Sequence, residues 1–226
     1  MLRHGHRVST AARPLLSQRW RSLSSPADVT ADASAKARVS ATRRWIDEVV
    51  IGERLCPFAA LVRAEAWRLR IVPSSARGPD DVVAEVSKEA EALMQGLQSQ
   101  HGAGAHDFPE TTLLVLDEQW PFVHQWRDLV RLSWRLQAEA ILGRGYASDL
   151  QLVLFHPKAV HTAYAEGPPD AADYTIRAPH PTVHLLREID VLRAVRSYES
   201  AEQIPSRNKA RLRQQGVDAC RARLTR

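Results

Sequence analysis

Apolar residues along this chain recur at two spacings, one typical of helices and one typical of strands. Helical spacing predicts a first helix over residues 37–53. A second helix is expected to begin at Pro79, where Asp80 and Asp81 place negative charge at the positive end of the helix dipole. A third helix is predicted over residues 121–142, where two glycines follow.

Three strands are predicted between these helices. Trp67–Val72 alternates apolar and basic residues, as a strand with one wet face or an edge strand does. Thr111–Leu116 is an uninterrupted β-prone run, the pattern of a central strand buried on both faces, and Leu150–Phe155 is the third strand. Alternating strands and helices favour right-handed βαβ crossovers. The sequence therefore predicts an α/β fold with a small, mainly parallel sheet of three or more strands flanked by helices.

The last third of the chain contains a long segment without a predicted element. Residues 157–181 form this segment, and so long a loop in a compact domain is usually functional or disordered. Its tyrosines and prolines favour a structured loop over the carboxyl ends of the strands, where open α/β sheets bind ligands. Helices are expected over residues 182–197 and 202–223.

The amino-terminal segment has the composition of an organelle-import sequence. Residues 1–27 contain five arginines and several serines but no acidic residue. We expect import into the mitochondrial matrix with cleavage near Leu23 or Ser24; a plastid transit peptide and a basic extension on a cytosolic protein are the alternatives. The predicted organisation is a presequence with a disordered spacer over residues 1–36, followed by a single α/β domain over residues 37–226.

The charge of the chain resides in that segment. The formal net charge is +5, and the five arginines account for all of it, so the mature domain is expected to be nearly neutral. This balance argues against nucleic-acid binding. Residues 207–226 are an exception, with seven basic residues and one acid, which suits either phosphate contacts or an ordinary solvated helix end. No apolar run is long enough to cross a membrane.

Cys56 is a candidate nucleophile. It precedes Pro57, the predicted first residue of a short helix, so it is expected to cap that helix and to face unpaired backbone N–H groups. Such a position lowers the pKa of a thiol and favours the thiolate. The alternative is a small buried side chain that fills a turn. The only other cysteine is Cys220, and without a Cys-x-x-Cys pair the sequence gives no support for a structural zinc site.

Histidines supply further candidates for catalysis. His184 and Glu188 are four residues apart, so on a helix they would share a face, with the carboxylate orienting the imidazole for general-base work or both binding a divalent metal. A solvated surface contact is the alternative. His156 ends the third strand, where α/β sheets present active groups, although an imidazole there often only bonds a loop carbonyl.

Candidate ligand-binding residues follow in the loop and in the last helix. Arg177 is the best candidate for an anion clamp, because a guanidinium binds carboxylates and phosphates in a bidentate manner. Tyr174 lies in the same loop. Arg207 and Asn208, at the start of the last helix, could complete such a site or form an ordinary helix start.

Taken together, these residues resemble a family known as domain of unknown function 1415. The resemblance covers about residues 38–216. It depends on these blocks: Thr42-Arg43-Arg44-Trp45, Val49-Val50-Ile51-Gly52, Leu55-Cys56-Pro57-Phe58-Ala59, Phe155-His156-Pro157, Tyr174-Thr175-Ile176-Arg177-Ala178-Pro179, His184-Leu185-Leu186-Arg187-Glu188 and Arg207-Asn208.

This chain departs from the family pattern at two places. Family members resemble one another in having Asn or Leu-Asn where Glu53-Arg54 stands here, and usually an aromatic residue at His180, so His180 is not expected to be essential. The resemblance implies no reaction, because none is established for the family. It supports the choice of site residues and leaves their chemistry open.

Two hypotheses follow from the sequence. The first is an enzyme that acts on a small anionic metabolite bound by Arg177. In it His184, oriented by Glu188, is the acid–base group or a metal ligand, His156 is a second imidazole, and Cys56 is a nucleophile or a thiolate ligand. The second is a non-catalytic module that binds a ligand or a protein partner, in which the same residues are structural. A divalent metal is compatible with the site but not required, and the cofactor and the oligomeric state stay open.

Overall fold

The computed structural model describes residues 26–99, 107–161 and 168–225 of this chain. The predicted presequence therefore lies almost entirely outside the described residues. The expected spacer is partly described, and it is helical, because the first helix begins at Pro26 and not near residue 37. No described helix is long and apolar enough to cross a membrane.

The described chain contains eight α-helices, α1 to α8, and four strands, β1 to β4. In chain order these elements are α1 Pro26–Trp45, α2 Ala59–Ala64, β1 Leu69–Pro73, α3 Pro79–Gln98, β2 Thr111–Val115, α4 Pro121–His124, α5 Trp126–Arg135, β3 Leu150–Phe155, β4 Thr182–Arg187, α6 Glu188–Arg196, α7 Ile204–Gln215 and α8 Val217–Leu224. π-Helical turns extend α1 over Ile46–Ile51 and α5 over Leu136–Ile141, and short 3₁₀ turns occupy Leu142–Arg144, Ala171–Thr175 and Ala201–Gln203.

The four described strands form a mixed sheet in the order β1-β2-β4-β3. β1 and β2 are parallel, whereas β4 is antiparallel to both of its neighbours, β2 and β3. The α/β class and the three predicted strands are confirmed. The prediction of a mainly parallel sheet is wrong, because the sheet has a fourth strand that the sequence pattern did not reveal.

That fourth strand was expected to be the start of a helix. Thr182–Arg187 instead pairs with two strands at once, and α6 begins only at Glu188. A strand in the middle of a sheet is buried on both faces, so its apolar run lacks the alternation that identifies an exposed strand. In a short run of this kind, the period cannot distinguish strand from helix.

Two other predicted helices are interrupted. Gln125 has an extended backbone, with φ −111° and ψ 150°, which separates α4 from α5. Gly216, with φ 85°, separates α7 from α8. Glycine adopts this positive φ without the steric cost that a Cβ atom would add.

The main hydrophobic core lies on the sheet face that packs against α3 and α5. It includes Val86 and Leu93 from α3, Leu129 from α5, and Leu114 and Val183 from the sheet, all of them fully buried. Side chains of this size each contribute about 1.5–3 kcal/mol when removed from water. This face therefore supplies most of the apolar burial that stabilises the domain.

The opposite face packs against the π-helical end of α1. Trp45, Ile46 and Leu113 form a smaller buried cluster there, and the Trp45 ring meets the Phe155 ring edge-on with centroids 5.3 Å apart. This cluster does not extend over the whole face. The remaining space between the sheet, α2 and α6 is a cavity.

Candidate ligand-binding cavity

A cavity of about 370 Å³ lies on this second sheet face. α1 with its π-helical turns, α2, α6 and the sheet supply most of its walls, which are largely apolar. Apolar wall residues include Ile46, Val62, Leu69, Leu113, Phe155 and Val191.

The strand register explains which sheet residues reach the cavity. Leu113 on β2 is opposite His184 on β4, and Thr111 is opposite Leu186, which in turn is opposite Gln151 on β3. Residues directly opposite in a sheet share a face, so all five side chains lie on the cavity side. The sequence had suggested a site at the carboxyl ends of the strands. Thr111 and Gln151 stand near the amino ends of their strands, so the cavity extends beyond that edge of the sheet.

A tight turn carries Cys56 into the cavity wall. π-Helical turns over Ile46–Ile51 end at Gly52, where a Cβ atom would lie 2.3 Å from the carbonyl oxygen of Glu48. Arg54 then adopts a left-handed conformation with φ 51°. The chain reverses at this point, and Cys56 follows on the cavity wall.

Hydrogen bonds hold that turn in place. The Leu55 N–H donates to the Val50 carbonyl oxygen at 2.9 Å, and the Asn208 side-chain amide donates to the Leu55 carbonyl oxygen at 2.6 Å. Asn208 is buried and also lines the cavity. The sequence placed Asn208 at a ligand site, and the structure shows how it supports the Cys56 turn.

Cys56 does not have the electrostatic setting expected for it. α2 begins at Ala59 with Phe58 as its N-cap, so Cys56 precedes the N-cap by two residues and the N-cap prediction is wrong. Burial raises the pKa of its thiol, and this outweighs hydrogen bonds from the amides of Phe58 and Ala59, which lower it. Cys56 is therefore a neutral thiol on the cavity wall.

His184 lies on the floor of the cavity, on strand β4. Its Nε2 and the Thr111 hydroxyl are 2.7 Å apart, and that hydroxyl donates to the Leu185 carbonyl oxygen, also at 2.7 Å. Burial lowers the pKa of His184 to about 4, so the imidazole is neutral at pH 7. A neutral ring keeps one nitrogen as a hydrogen-bond acceptor.

Glu188 does not pair with His184 in the manner predicted. The two residues were expected on one helical face, but His184 belongs to β4 and Glu188 opens α6. The Glu188 carboxylate accepts a hydrogen bond at 2.6 Å from the side-chain amide of Gln151. Glu188 is not a cavity-lining residue, so the helical His–Glu pair is wrong.

His156 is sealed in the interior and away from the cavity, with 1% of its surface exposed. Its Nε2 donates to the Val123 carbonyl oxygen at 2.9 Å, and its Nδ1 accepts from the Lys158 N–H at 2.9 Å. Burial lowers its pKa to about 4. Both ring nitrogens are in use, which makes His156 a structural connection between the end of β3 and α4.

Arg177 is also engaged within the protein. Its Nε donates to the Ala159 carbonyl oxygen at 2.9 Å, its guanidinium lies 3.7 Å from the Asp173 carboxylate, and its Cζ sits 4.5 Å from the centre of the Tyr174 ring. The positive charge of Arg177, the predicted anion clamp, is therefore compensated by the Asp173 carboxylate. Tyr174, beneath it, does line the cavity.

Arg207 stands on the surface. Its guanidinium lies 3.4 Å from the Tyr198 hydroxyl, and the residue is exposed and does not line the cavity. The structure thus brings Cys56, Tyr174, His184 and Asn208 together on one cavity. The other predicted site residues, His156, Arg177, Glu188 and Arg207, lie outside it.

Sequence reasoning missed an ion-pair network on the cavity wall. Arg187 is only 3% exposed, and it pairs with Glu110 at 3.6 Å and with Asp190. Each acid has a second partner, Arg68 at 2.7 Å for Glu110 and Arg193 at 2.9 Å for Asp190. Arg187 and Asp190 are only three residues apart, but no local motif links Arg187 to Glu110, because that contact forms only when β4 enters the sheet.

A second cavity, of about 320 Å³, lies near the carboxyl ends of the strands, where the sequence had located the site. Its lining includes Arg44, Pro157, His180 and Arg223, and Trp45 belongs to the walls of both cavities. None of Cys56, His184 and Arg177 lines it. Within the described residues, no cluster of three or more His, Cys, Asp or Glu side chains could hold a metal ion.

The fold and the cavity define an α/β protein with a mixed sheet and a small-molecule-sized, mostly apolar cavity on one sheet face. The chain belongs to the family described as Protein of unknown function (DUF1415), whose sequence model matches residues 37–222. This match confirms the resemblance inferred from the sequence. No curated protein and no solved structure matches the chain.

We predict that Arg187→Met lowers the free energy of unfolding by about 3 kcal/mol, because it leaves two partly buried carboxylates without their inner partner. Arg193→Met is the matched control, since Arg193 is 65% exposed and shares Asp190, and its loss should cost less than about 0.5 kcal/mol. Urea denaturation measures both values. Equal losses would contradict the assignment of Arg187 as the central member of the network.

We also predict that acid destabilises the protein through His156. Its pKa is 6.5 when unfolded and about 4 when folded, so the unfolded chain binds the proton first and stability falls as the pH drops from 6.5 towards 4. This difference corresponds to about 3 kcal/mol. His156→Gln, which does not titrate, should lose that part of the pH dependence in urea denaturation. A variant with the wild-type slope would assign the effect to other groups.

Proposed function

We propose that this protein binds a small, predominantly apolar molecule in the cavity between the sheet, α2 and α6. The observation that carries the proposal is the character of the walls, which are largely apolar and include a few polar groups, among them His184, Thr111 and Cys56. The volume of about 370 Å³ falls within the range of small-molecule sites, which is about 300–1,000 Å³.

The charges on the walls favour an uncharged ligand over the anionic metabolite expected from the sequence. Among the described residues, Arg187 is the only arginine on the cavity wall, and Glu110 and Asp190, which also line it, compensate its charge. Arg177 contacts Asp173 and does not line the cavity. A buried anion needs an uncompensated cation or several donors, and the described walls offer neither in excess.

Catalysis is the second candidate, favoured by the presence of Cys56 and His184 on one cavity. Nucleophilic attack by the thiolate would require proton transfer from the Cys56 thiol to the His184 imidazole, but burial raises the pKa of the thiol and lowers the pKa of the imidazole to about 4. Both shifts oppose this transfer, because burial favours the neutral form of each group. Non-covalent binding is therefore the better-supported function of the cavity.

For the location of the protein we propose the mitochondrial matrix. The support is the composition of residues 1–27, which contain five arginines and no acidic residue. Residues 1–25 lie outside the described residues, so this proposal depends on the sequence alone.

The import proposal predicts that isolated mitochondria take up the full chain and shorten it near Leu23 or Ser24. Replacing the five arginines with glutamine should abolish uptake, because import requires the positive charge of the presequence. The positions are Arg3, Arg7, Arg13, Arg19 and Arg21. Uptake of the substituted chain at the wild-type rate, or processing by chloroplasts alone, would contradict the proposal.

The cavity proposal predicts that indole, an apolar ring system of suitable size, binds the full chain with a dissociation constant of about 1 mM or below. Ala194→Phe should weaken binding at least about tenfold, because Ala194 faces the cavity from α6 and the added ring would occupy it. Leu192→Phe is the matched control, since Leu192 is exposed on the outer side of the same helix. NMR titration of the backbone amides measures all three proteins.

Two results would contradict this proposal. One is the absence of indole-induced shifts around Leu113, His184 and Ala194 in the wild-type chain. The other is an equal effect of both phenylalanine substitutions, which would place the binding site elsewhere on α6.

A further inference from the structure

We infer that the cavity selects ligands whose buried end donates a hydrogen bond, such as a hydroxyl or an N–H group, and that Thr111 is the positioning residue that sets this preference by fixing the tautomer of His184. This inference rests on the proposed function, because it names the class of molecule that the same cavity accepts.

The Thr111 hydroxyl has two short hydrogen-bond contacts, and the position of its proton decides which of them it donates. The Thr111 oxygen lies 2.7 Å from the Leu185 carbonyl oxygen and 2.7 Å from His184 Nε2. A carbonyl oxygen can only accept, so an oxygen–oxygen distance this short requires the hydroxyl proton between the two atoms. A hydroxyl has one proton. Thr111 must therefore accept its second hydrogen bond, and His184 Nε2 must carry the hydrogen that donates it.

The other ring nitrogen of His184, Nδ1, is left with a free lone pair. His184 is neutral at pH 7, since burial lowers its pKa to about 4, and a neutral imidazole with a proton on Nε2 has a free lone pair on Nδ1. Among the described residues Nδ1 has no hydrogen-bond partner. It is also absent from the polar atoms that are both unpaired and fully buried, so it is accessible from the cavity. Because His184 lines the cavity, this lone pair is available to a ligand.

Apolar side chains surround that lone pair. On the sheet, His184 stands between Leu113 of β2 and Val153 of β3, and the Phe155 ring centre is 6.1 Å away. In such apolar surroundings an unpaired acceptor is poorly satisfied, so a donor on the ligand is favoured. A ligand carboxylate at the same place would set its own lone pairs against Nδ1 and is disfavoured.

The test uses three probes with the same methyl-substituted ring: p-cresol, which donates a hydrogen bond, p-xylene, which does not, and p-toluate, which is an anion. We expect p-cresol to bind the full chain at least about tenfold more tightly than p-xylene, after correction for their different transfer from water to octanol, and p-toluate to bind most weakly. Dissociation constants come from NMR titration at pH 7.

Variants of Thr111 separate positioning from structure. Thr111→Val removes the partner of Nε2 and should abolish the preference for p-cresol, whereas Thr111→Ser retains a hydroxyl and should restore it. Thr112→Val is the matched control, because Thr112 is the next residue on β2, faces the other side of the sheet and has a buried hydroxyl without a partner among the described residues. This control should leave all three affinities unchanged.

The ¹⁵N chemical shifts of the His184 ring supply a readout that a purely structural role would not change. The wild-type and Thr111→Ser chains should show a protonated Nε2 and an unprotonated Nδ1, and Thr111→Val should show a mixture of tautomers.

Three outcomes would overturn the inference. A proton on Nδ1 in the wild-type ring would overturn the tautomer assignment. Equal corrected affinities for p-cresol and p-xylene, or tighter binding of p-toluate, would overturn the selectivity while apolar binding in the cavity stands. Failure of all three probes to bind would overturn the proposed function itself and the selectivity with it.

Discussion

The hydrogen-bonded pairing of β4 with β2 on one side and β3 on the other is the interaction on which the rest of this structure depends. It joins the strands of the two halves of the chain into one sheet. It also places His184 between two apolar neighbours, beside the hydroxyl of Thr111, and brings Arg187 to Glu110. Without β4 there would be neither a continuous cavity floor nor the contacts of Thr111 with His184 and of Glu110 with Arg187.

Burial then decides the charge state of the groups on this face. The thiol of Cys56 and the imidazole of His184 are both held neutral, because a small apolar cavity penalises the charged form of each. Two carboxylates pair with the guanidinium of Arg187. A cavity with neutral hydrogen-bonding groups and compensated charges is suited to an uncharged molecule. Nucleophilic chemistry is disfavoured, because burial opposes proton transfer from the thiol to the imidazole.

The two sheet faces have different physical tasks. One is filled by α3 and α5 with fully buried aliphatic side chains, which supply most of the stabilising burial. The other is covered incompletely by the end of α1, by α2 and by α6, so it can keep a cavity open. Cys56 reaches this cavity because Gly52 permits a close backbone approach and Asn208 fixes the following turn.

By itself the sequence determined the α/β class, the strands β1 to β3, the amphipathic helix α3 and the family, and it singled out Cys56, Tyr174, His184 and Asn208, which line one cavity. These features depend on local periodicity, on turn residues and on short blocks of sequence, which neighbouring residues encode directly. Only the tertiary structure decided that Thr182–Arg187 is a central strand, that His156 and Arg177 are engaged in the interior, and that Arg187 meets Glu110. The physical reason is that a strand buried on both faces has no distinctive period, and that a hydrogen bond or ion pair between distant residues exists only after the sheet has brought them together.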